Sequence, residues 1–393
     1  MPNRSPANPT LLLAALAGLG EFAATAYLPA IPSMAATFET GPGAVQATVS
    51  AGLLTFAAAN LVLGPLSDRV GRRAVLLPAL AVYLIGCALA VAAPAVAWLY
   101  PARVLTAAGA CAGLAVGRAV ARDLYDGADL TRRLTAVTLA FSVAPVLAPL
   151  IGGALTEVLG WRSVFLAAFL YAAVLVPCVW RFPETLKVRQ TQQSLLASVS
   201  DYPAMALRRE SAPALFASAL LVAALFCFLV GAPVIFLTSL GLSPAVYGCF
   251  PLIAMSGFVL GALLSARLAG RLPGWRAVRA GTAIAFSGTL VMLAVPVSPV
   301  GMLGAMALFN TGLGLALPAA GADVLRAFPG RAGQASALLG FIQIAGGALG
   351  AGMASSGAGA PERMVPVTMA VLAGLACVTA TVPGPVKARE TAP

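Results

Sequence analysis

The chain has no histidine at all, only 9% charged residues, and 13 aspartates and glutamates among 393 residues. Soluble domains carry roughly 25% charged residues, so a water-soluble globular fold is excluded. Metal centres and acid–base sites draw on clustered histidine, cysteine and carboxylate. The six cysteines (Cys87, Cys111, Cys178, Cys227, Cys249 and Cys377) form no CxxC pair and all fall in apolar runs. No metal site and no cofactor are therefore expected, and an intramembrane enzyme lacks the residues it would need. A sensor would append a soluble domain, and the longest polar stretch, about 182–210, is too short for one.

What the chain has is apolar length. Sixty per cent of its residues are hydrophobic and its mean hydropathy is +0.94. About 20 apolar residues cross a bilayer core. Hydropathy marks twelve such spans, at about 10–31, 43–65, 74–93, 97–121, 133–157 and 161–181, then about 211–238, 244–269, 275–296, 299–324, 331–356 and 362–384. Lipid offers no partners to backbone N–H and C=O groups, so each span must be helical. The expected fold class is an all-α membrane protein of twelve transmembrane helices in two six-helix halves, 1–181 and 211–393, joined by a linker at 182–210.

The net charge of +11 invites a nucleic-acid reading, which the placement of the charge removes. Of the 24 lysines and arginines, all but Arg103, Arg118, Arg162 and Arg363 fall in or beside alternate connections. That asymmetry is the positive-inside pattern, and it puts both termini in the cytoplasm. The charge reports topology, so no nucleic-acid partner is expected. An alanine-rich composition with far more arginine than lysine suggests a high-GC bacterium, hence a bacterial inner membrane.

The stretch Gly64–Arg73, GPLSDRVGRR, packs one acid and three arginines between two uncharged runs, and so must lie at a water boundary. Gly64 and Pro65 are expected to end the first run, and Gly71 to permit a sharp reversal. A weak echo at Gly261–Arg271 keeps Gly261, Arg267, Gly270 and Arg271 but lacks the acid.

Glu21 is the one acid near the centre of a span, with Gly18, Gly20, Ala23 and Ala24 around it. A charge at that depth costs at least ~2.5–3.5 kcal/mol unless it meets a cavity or partner. Desolvation disfavours the ionised carboxyl, so Glu21 is suited to load and release a proton. A permanent ion pair or a hydrogen-bonded packing acid is the alternative. Thr25, Thr55, Asn310 and Gln343 are polar at mid-span, and Phe226 and Phe228 offer aromatic faces. Together they sketch a mostly apolar pocket for small lipophilic molecules, although each alone also suits helix packing.

The decapeptide matches throughout the loop signature G-x-L-x-D-R-x-G-R-R of the major facilitator superfamily of secondary transporters, which the chain resembles over its whole length. Tyr27–Pro32 (YLPAIP) and the span-4 end GRAVARDLY are similar to the bicyclomycin- and chloramphenicol-resistance type of drug–proton antiporter. The resemblance implies alternating access by a monomer that exchanges a small molecule for protons. It implies proton coupling for Arg103, the counter-charge to Glu21, with Thr106 in place of a usual glutamine; snorkelling to the outer surface is the plainer reading. It implies a conformational gate of Gly64, Asp68, Arg69, Gly71, Arg72 and Arg73, in which Asp68 faces the start of span 11 near Arg331. Arg118, Arg122 and Asp123, at the cytoplasmic edge of span 4, suit the same gate or a solvated helix end.

In span 5, Pro145, Pro149, Gly152 and Gly153 resemble the antiporter motif G-P-x-x-G-G, with Ala148 in place of its first glycine. Many of the resistance exporters carry an aspartate where this chain has Thr25, so the carboxylate role is expected one turn deeper, at Glu21. The function expected is efflux of small hydrophobic molecules, of drug or antibiotic class. Export of an endogenous metabolite, such as a sugar, nucleoside or siderophore-like product, is the second reading, disfavoured by so few polar mid-span residues.

Overall fold

The computed structural model describes residues 9–125, 127–186, 201–269, 271–328, 331–356 and 360–382, with the backbone alone at 122, 127–142 and 332. Among the described residues the regular structure is helical, apart from one isolated bridge between Ala269 and Leu272. The helices are α1 (Pro9–Thr37), α2 (Pro42–Val70), α3 (Arg72–Ala92), α4 (Val96–Leu124), α5 (Gly127–Leu159) and α6 (Arg162–Arg181). They continue as α7 (Ala212–Ser239), α8 (Pro244–Leu268), α9 (Gly274–Ala294), α10 (Pro299–Ala327), α11 (Ala332–Ser356) and α12 (Pro361–Thr381). Eleven are long and apolar enough to cross a membrane over their described residues, and α5 contributes a shorter apolar stretch, Val143–Leu159.

The chain divides into two compact units, one of Met1–Leu195 with Ser243–Cys249, the other of Leu196–Leu242 with Phe250–Pro393. The first thus takes the opening turns of α8 as well as α1–α6. Its core gathers Leu13, Leu16 and Leu19 of α1 with Leu76, Leu80 and Tyr83 of α3. In the other unit Leu215, Leu221, Ile235, Phe236 and Phe309 are fully buried.

Each unit packs its helices in the same order. In the first, α3 packs on α4, α2 on α4, α1 on α5 and α3 on α6. In the second, α9 packs on α10, α8 on α10, α7 on α11 and α9 on α12. The two units also share a tetrapeptide at matching helices: Gly152–Leu155 in α5 and Gly346–Leu349 in α11 both read GGAL. A Cβ at Gly152 would run into the carbonyl of Ala26 in α1, and one at Gly346 into that of Ala219 in α7. Glycine lets these backbones touch, which is how helices associate where lipid removes the hydrophobic drive.

Prolines sit inside the helices without ending them. In α1 the YLPAIP stretch tightens into a 3₁₀ turn at Leu28–Ala30 before the helix resumes at Ile31. Pro233 precedes a wide π turn at Val234–Ser239. Pro65 does not terminate α2, as its place at the end of the apolar run suggested; the helix runs on to Val70. A proline removes one donor, which a helix near the water boundary tolerates, and the reversal falls instead on Gly71 at φ +116°. The connection from α2 to α3 is that single residue.

Candidate functional site

The charged decapeptide therefore sits on two helix ends. Arg72, the first residue of α3, turns its guanidinium back into the first unit and is 5% exposed. Its Nη1 donates to Ser67 Oγ (2.7 Å) and Asp68 Oδ1 (2.5 Å), and its Nε and Nη2 to Asp123 Oδ2 and Oδ1 (2.8 and 3.3 Å). This two-pronged grip on Asp123 uses the planar fork that only arginine has. Asp68 is thus engaged within its own unit.

A second carboxylate completes the cluster. Glu184, just beyond α6, accepts backbone N–H bonds from Arg72 (2.9 Å), Arg73, Thr185 and Leu186 (each 3.0 Å). It thereby satisfies donors at the N-terminus of α3, where negative charge is favoured. Partial burial pushes its carboxyl upward, but the four N–H donors outweigh that and hold it below the usual carboxylate range. Thr185 adds a bond to Asp123 Oδ2 at 3.2 Å. Glu184, Thr185 and Ser67 were missed in the sequence. The available signal was an acid after Pro183 at the end of a span, on the same side as the decapeptide's arginines. Arg69 lies in the last turn of α2, Arg118 is exposed on α4, and the side chain of Arg122 lies outside the described residues.

Glu21 is half-buried on α1, and among the described residues no ion pair reaches its carboxylate. Arg103, 5% exposed, does not meet it. Its Nη1 donates to the carbonyl of Ala23 at 2.7 Å, and its guanidinium carbon sits 4.0 Å from the centre of the Tyr27 ring. Ala23 lies about 200° around α1 from Glu21, on nearly the opposite face. A buried cation over an aromatic face is held by about 2 kcal/mol.

The expected pocket residues divide by burial. Thr25 (5% exposed) donates to the carbonyl of Glu21 at 2.8 Å, and Asn310 (3%) from α10 to that of Ala254 in α8 at 2.9 Å. Phe228 is buried edge-on to Phe236. These three act in helix packing. Thr55, Phe226 and Gln343 are half-buried; Thr55 bonds back to the carbonyl of Ala51, and the Phe226 ring lies against Gly347. In α5, Pro145 and Pro149 precede the glycine pair. Gly153 lies on the carbonyl of Pro244 and Gly248 on that of Pro149, while Glu157 Oε2 accepts from Ala245 N at 2.9 Å. The antiporter-like stretch is thus the seat for Ser243–Cys249 within the first unit. Among the described residues no cluster of three His, Cys, Asp or Glu could hold a metal.

Helical units of this kind, with a one-residue glycine turn flanked by arginines between the second and third helices, are those of a multi-pass membrane transporter family. Residues 10–351 match the Major Facilitator Superfamily, and the chain belongs to it. It is 34% identical over 199 residues to multidrug resistance protein D of Escherichia coli (strain K12), a match spanning 50% of each chain. It is 26% identical over 340 residues to the MFS-type transporter YdgK of Bacillus subtilis (strain 168), spanning 85% of each. With a chloramphenicol resistance protein of Pseudomonas aeruginosa it shares 34% over 180 residues, 44% of this chain and 42% of the other. Among solved structures, a peptide transporter (POT) with alafosfalin superposes at TM-score 0.78 with 14% identity, covering 97% of this chain and 94% of that one. The nucleoside transporter NupG does so at 0.76 with 15% identity, covering 95% and 98%.

Proposed function

We propose that this chain is a secondary active exporter that moves small lipophilic molecules of drug or antibiotic class out across the bacterial inner membrane in exchange for protons. It works as a monomer by alternating access, with both termini in the cytoplasm. The observation that carries this reading is Glu21, an acid midway along α1 and half-buried, with no ion-pair partner among the described residues. An acid so placed is expensive to keep ionised, and it is stable only if it meets a proton or a polar cavity. Protonated, it crosses with one access state; ionised, with the other, so proton and substrate exclude one another. Each inward proton also releases ~2.3 kcal/mol per 100 mV of membrane potential.

The drug-resistance names of two relatives support the substrate class. Thr55 in the first unit, and Phe226 and Gln343 in the second, each half-buried, are the residues proposed to touch the cargo. The cytoplasmic cluster around Arg72 sets the gate. The test uses inside-out vesicles with an acidified lumen. A lipophilic antibiotic should discharge the gradient only in vesicles that carry the chain. Accumulation of the antibiotic that survives a protonophore would contradict the proposal.

A further inference from the structure

Beside Ser50 Oγ, three buried polar atoms of the first unit have no hydrogen-bond partner among the described residues: Tyr27 Oη, Tyr83 Oη and Arg103 Nε. Their residues are 2%, 0% and 5% exposed, so bulk water does not serve them. All three residues line one small cavity, together with side chains such as Phe22, Cys87 and Ala168. The space open there to the centre of a water molecule is ≈ 10 Å³. About 10–15 Å³ is enough for one water, provided two to four polar groups surround it. Apolar cavities of this size stay dry, whereas this one presents a guanidinium N–H and two hydroxyls, which together supply donors and acceptors in the right number.

We propose that this cavity is a binding site for one internal water molecule, which accepts from Arg103 Nε and is shared by the hydroxyls of Tyr27 and Tyr83. The water ties α1, α3 and α4 together through one residue from each. Buried polar groups left unpaired are strongly disfavoured, and a single water relieves all three. It also gives Arg103 a role that does not depend on Glu21. The cation is held by the Ala23 carbonyl, the Tyr27 ring and the water, and keeps its place whichever protonation state Glu21 adopts. Arg103 is then a positioning residue.

Hydroxyl-radical labelling of the full-length chain in lipid nanodiscs, with rapid mixing into H₂¹⁸O, tests this. Radicals form from water and mark the side chains beside it. Tyr27 and Tyr83 should be oxidised despite their burial, while the fully buried Phe309 stays unmarked. Their uptake of ¹⁸O should lag behind that of Tyr100, which is 36% exposed, because an internal water exchanges slowly. Ala168→Leu, which fills the cavity, should abolish labelling of both tyrosines and leave Tyr100 unchanged. Tyr83→Phe, which keeps the shape but removes one partner, should shorten the ¹⁸O lag at Tyr27. Tyrosines as silent as Phe309 in the unaltered protein would overturn the proposal. So would silent tyrosines together with a melting temperature that falls when chloride is replaced by gluconate, since the occupant would then be an anion.

Discussion

Arg72 Nε donates to Asp123 Oδ2 across 2.8 Å and so joins the first residue of α3 to the last turn of α4. The two side chains are 6% and 19% exposed, and the same guanidinium holds Asp68 and Ser67 at the end of α2. Three helix ends therefore meet on one cation.

Arg72→Lys should lower stability by about 3 kcal/mol, near the cost of breaking a buried pair, because an ammonium cannot reproduce the fork. Thermal unfolding in detergent measures it. Arg73→Lys should change little, since Arg73 contributes its backbone N–H to the cluster. An Arg72→Lys variant as stable as Arg73→Lys and the unaltered chain would show that the charge suffices and the fork geometry does not matter.

Glu184→Gln isolates the second carboxylate. Its folded pKa lies below the usual value of about 4.3, so its stabilisation is complete above that pH and is lost as pH falls through the lower folded value. Unfolding of the unaltered chain should become easier over that acid range, and Glu184→Gln should flatten this dependence. At neutral pH the variant should lose about 1 kcal/mol, the lower end for a charge-assisted bond, because Glu184 faces water. A melting curve with the same acid slope in both proteins would assign the slope elsewhere.

Gly152→Val should abolish transport and reduce folded yield, because its Cβ would meet the Ala26 backbone, which cannot move aside as a side chain can. Gly346→Val should do the same in the second unit, against Ala219. Gly64→Ala, where a Cβ meets nothing within 4 Å, should leave the folded yield close to that of the unaltered chain. Monodispersity on size exclusion and efflux in cells read all three.

Much of the architecture was legible in the sequence because the membrane imposes it. The twelve spans follow from hydropathy, and the family from the decapeptide, whose spacing repeats its signature. Contacts set by folding were harder to read. Pro65 looked like a helix end because a proline so often is one, yet α2 absorbs it and Gly71 makes the turn. Arg103 looked like the counter-charge of Glu21 because both are charges at depth. Helix rotation decides otherwise, placing Ala23 and Tyr27 on the face that Arg103 meets. Phe226 and Phe228 looked alike, but two residues on a helix are about 200° apart, so only one can face a cavity. Glu184 was overlooked because it acts through backbone N–H groups, which leave no charge pattern.

Asp68→Asn should slow turnover while leaving substrate affinity unchanged, since Asp68 is held by Arg72 in the cluster proposed as the gate and lies far along α2 from Thr55. Substrate titration beside transport rate separates the two. A parallel fall in affinity would place Asp68 in the binding site.

The central claim is that Glu21 carries the proton exchanged for cargo. The most direct measurement is proton release from the purified protein in lightly buffered detergent solution when substrate is added. The unaltered chain should release protons on binding, and Glu21→Gln should release none while remaining folded and still binding substrate. Release of protons by Glu21→Gln equal to that of the unaltered chain would contradict the account.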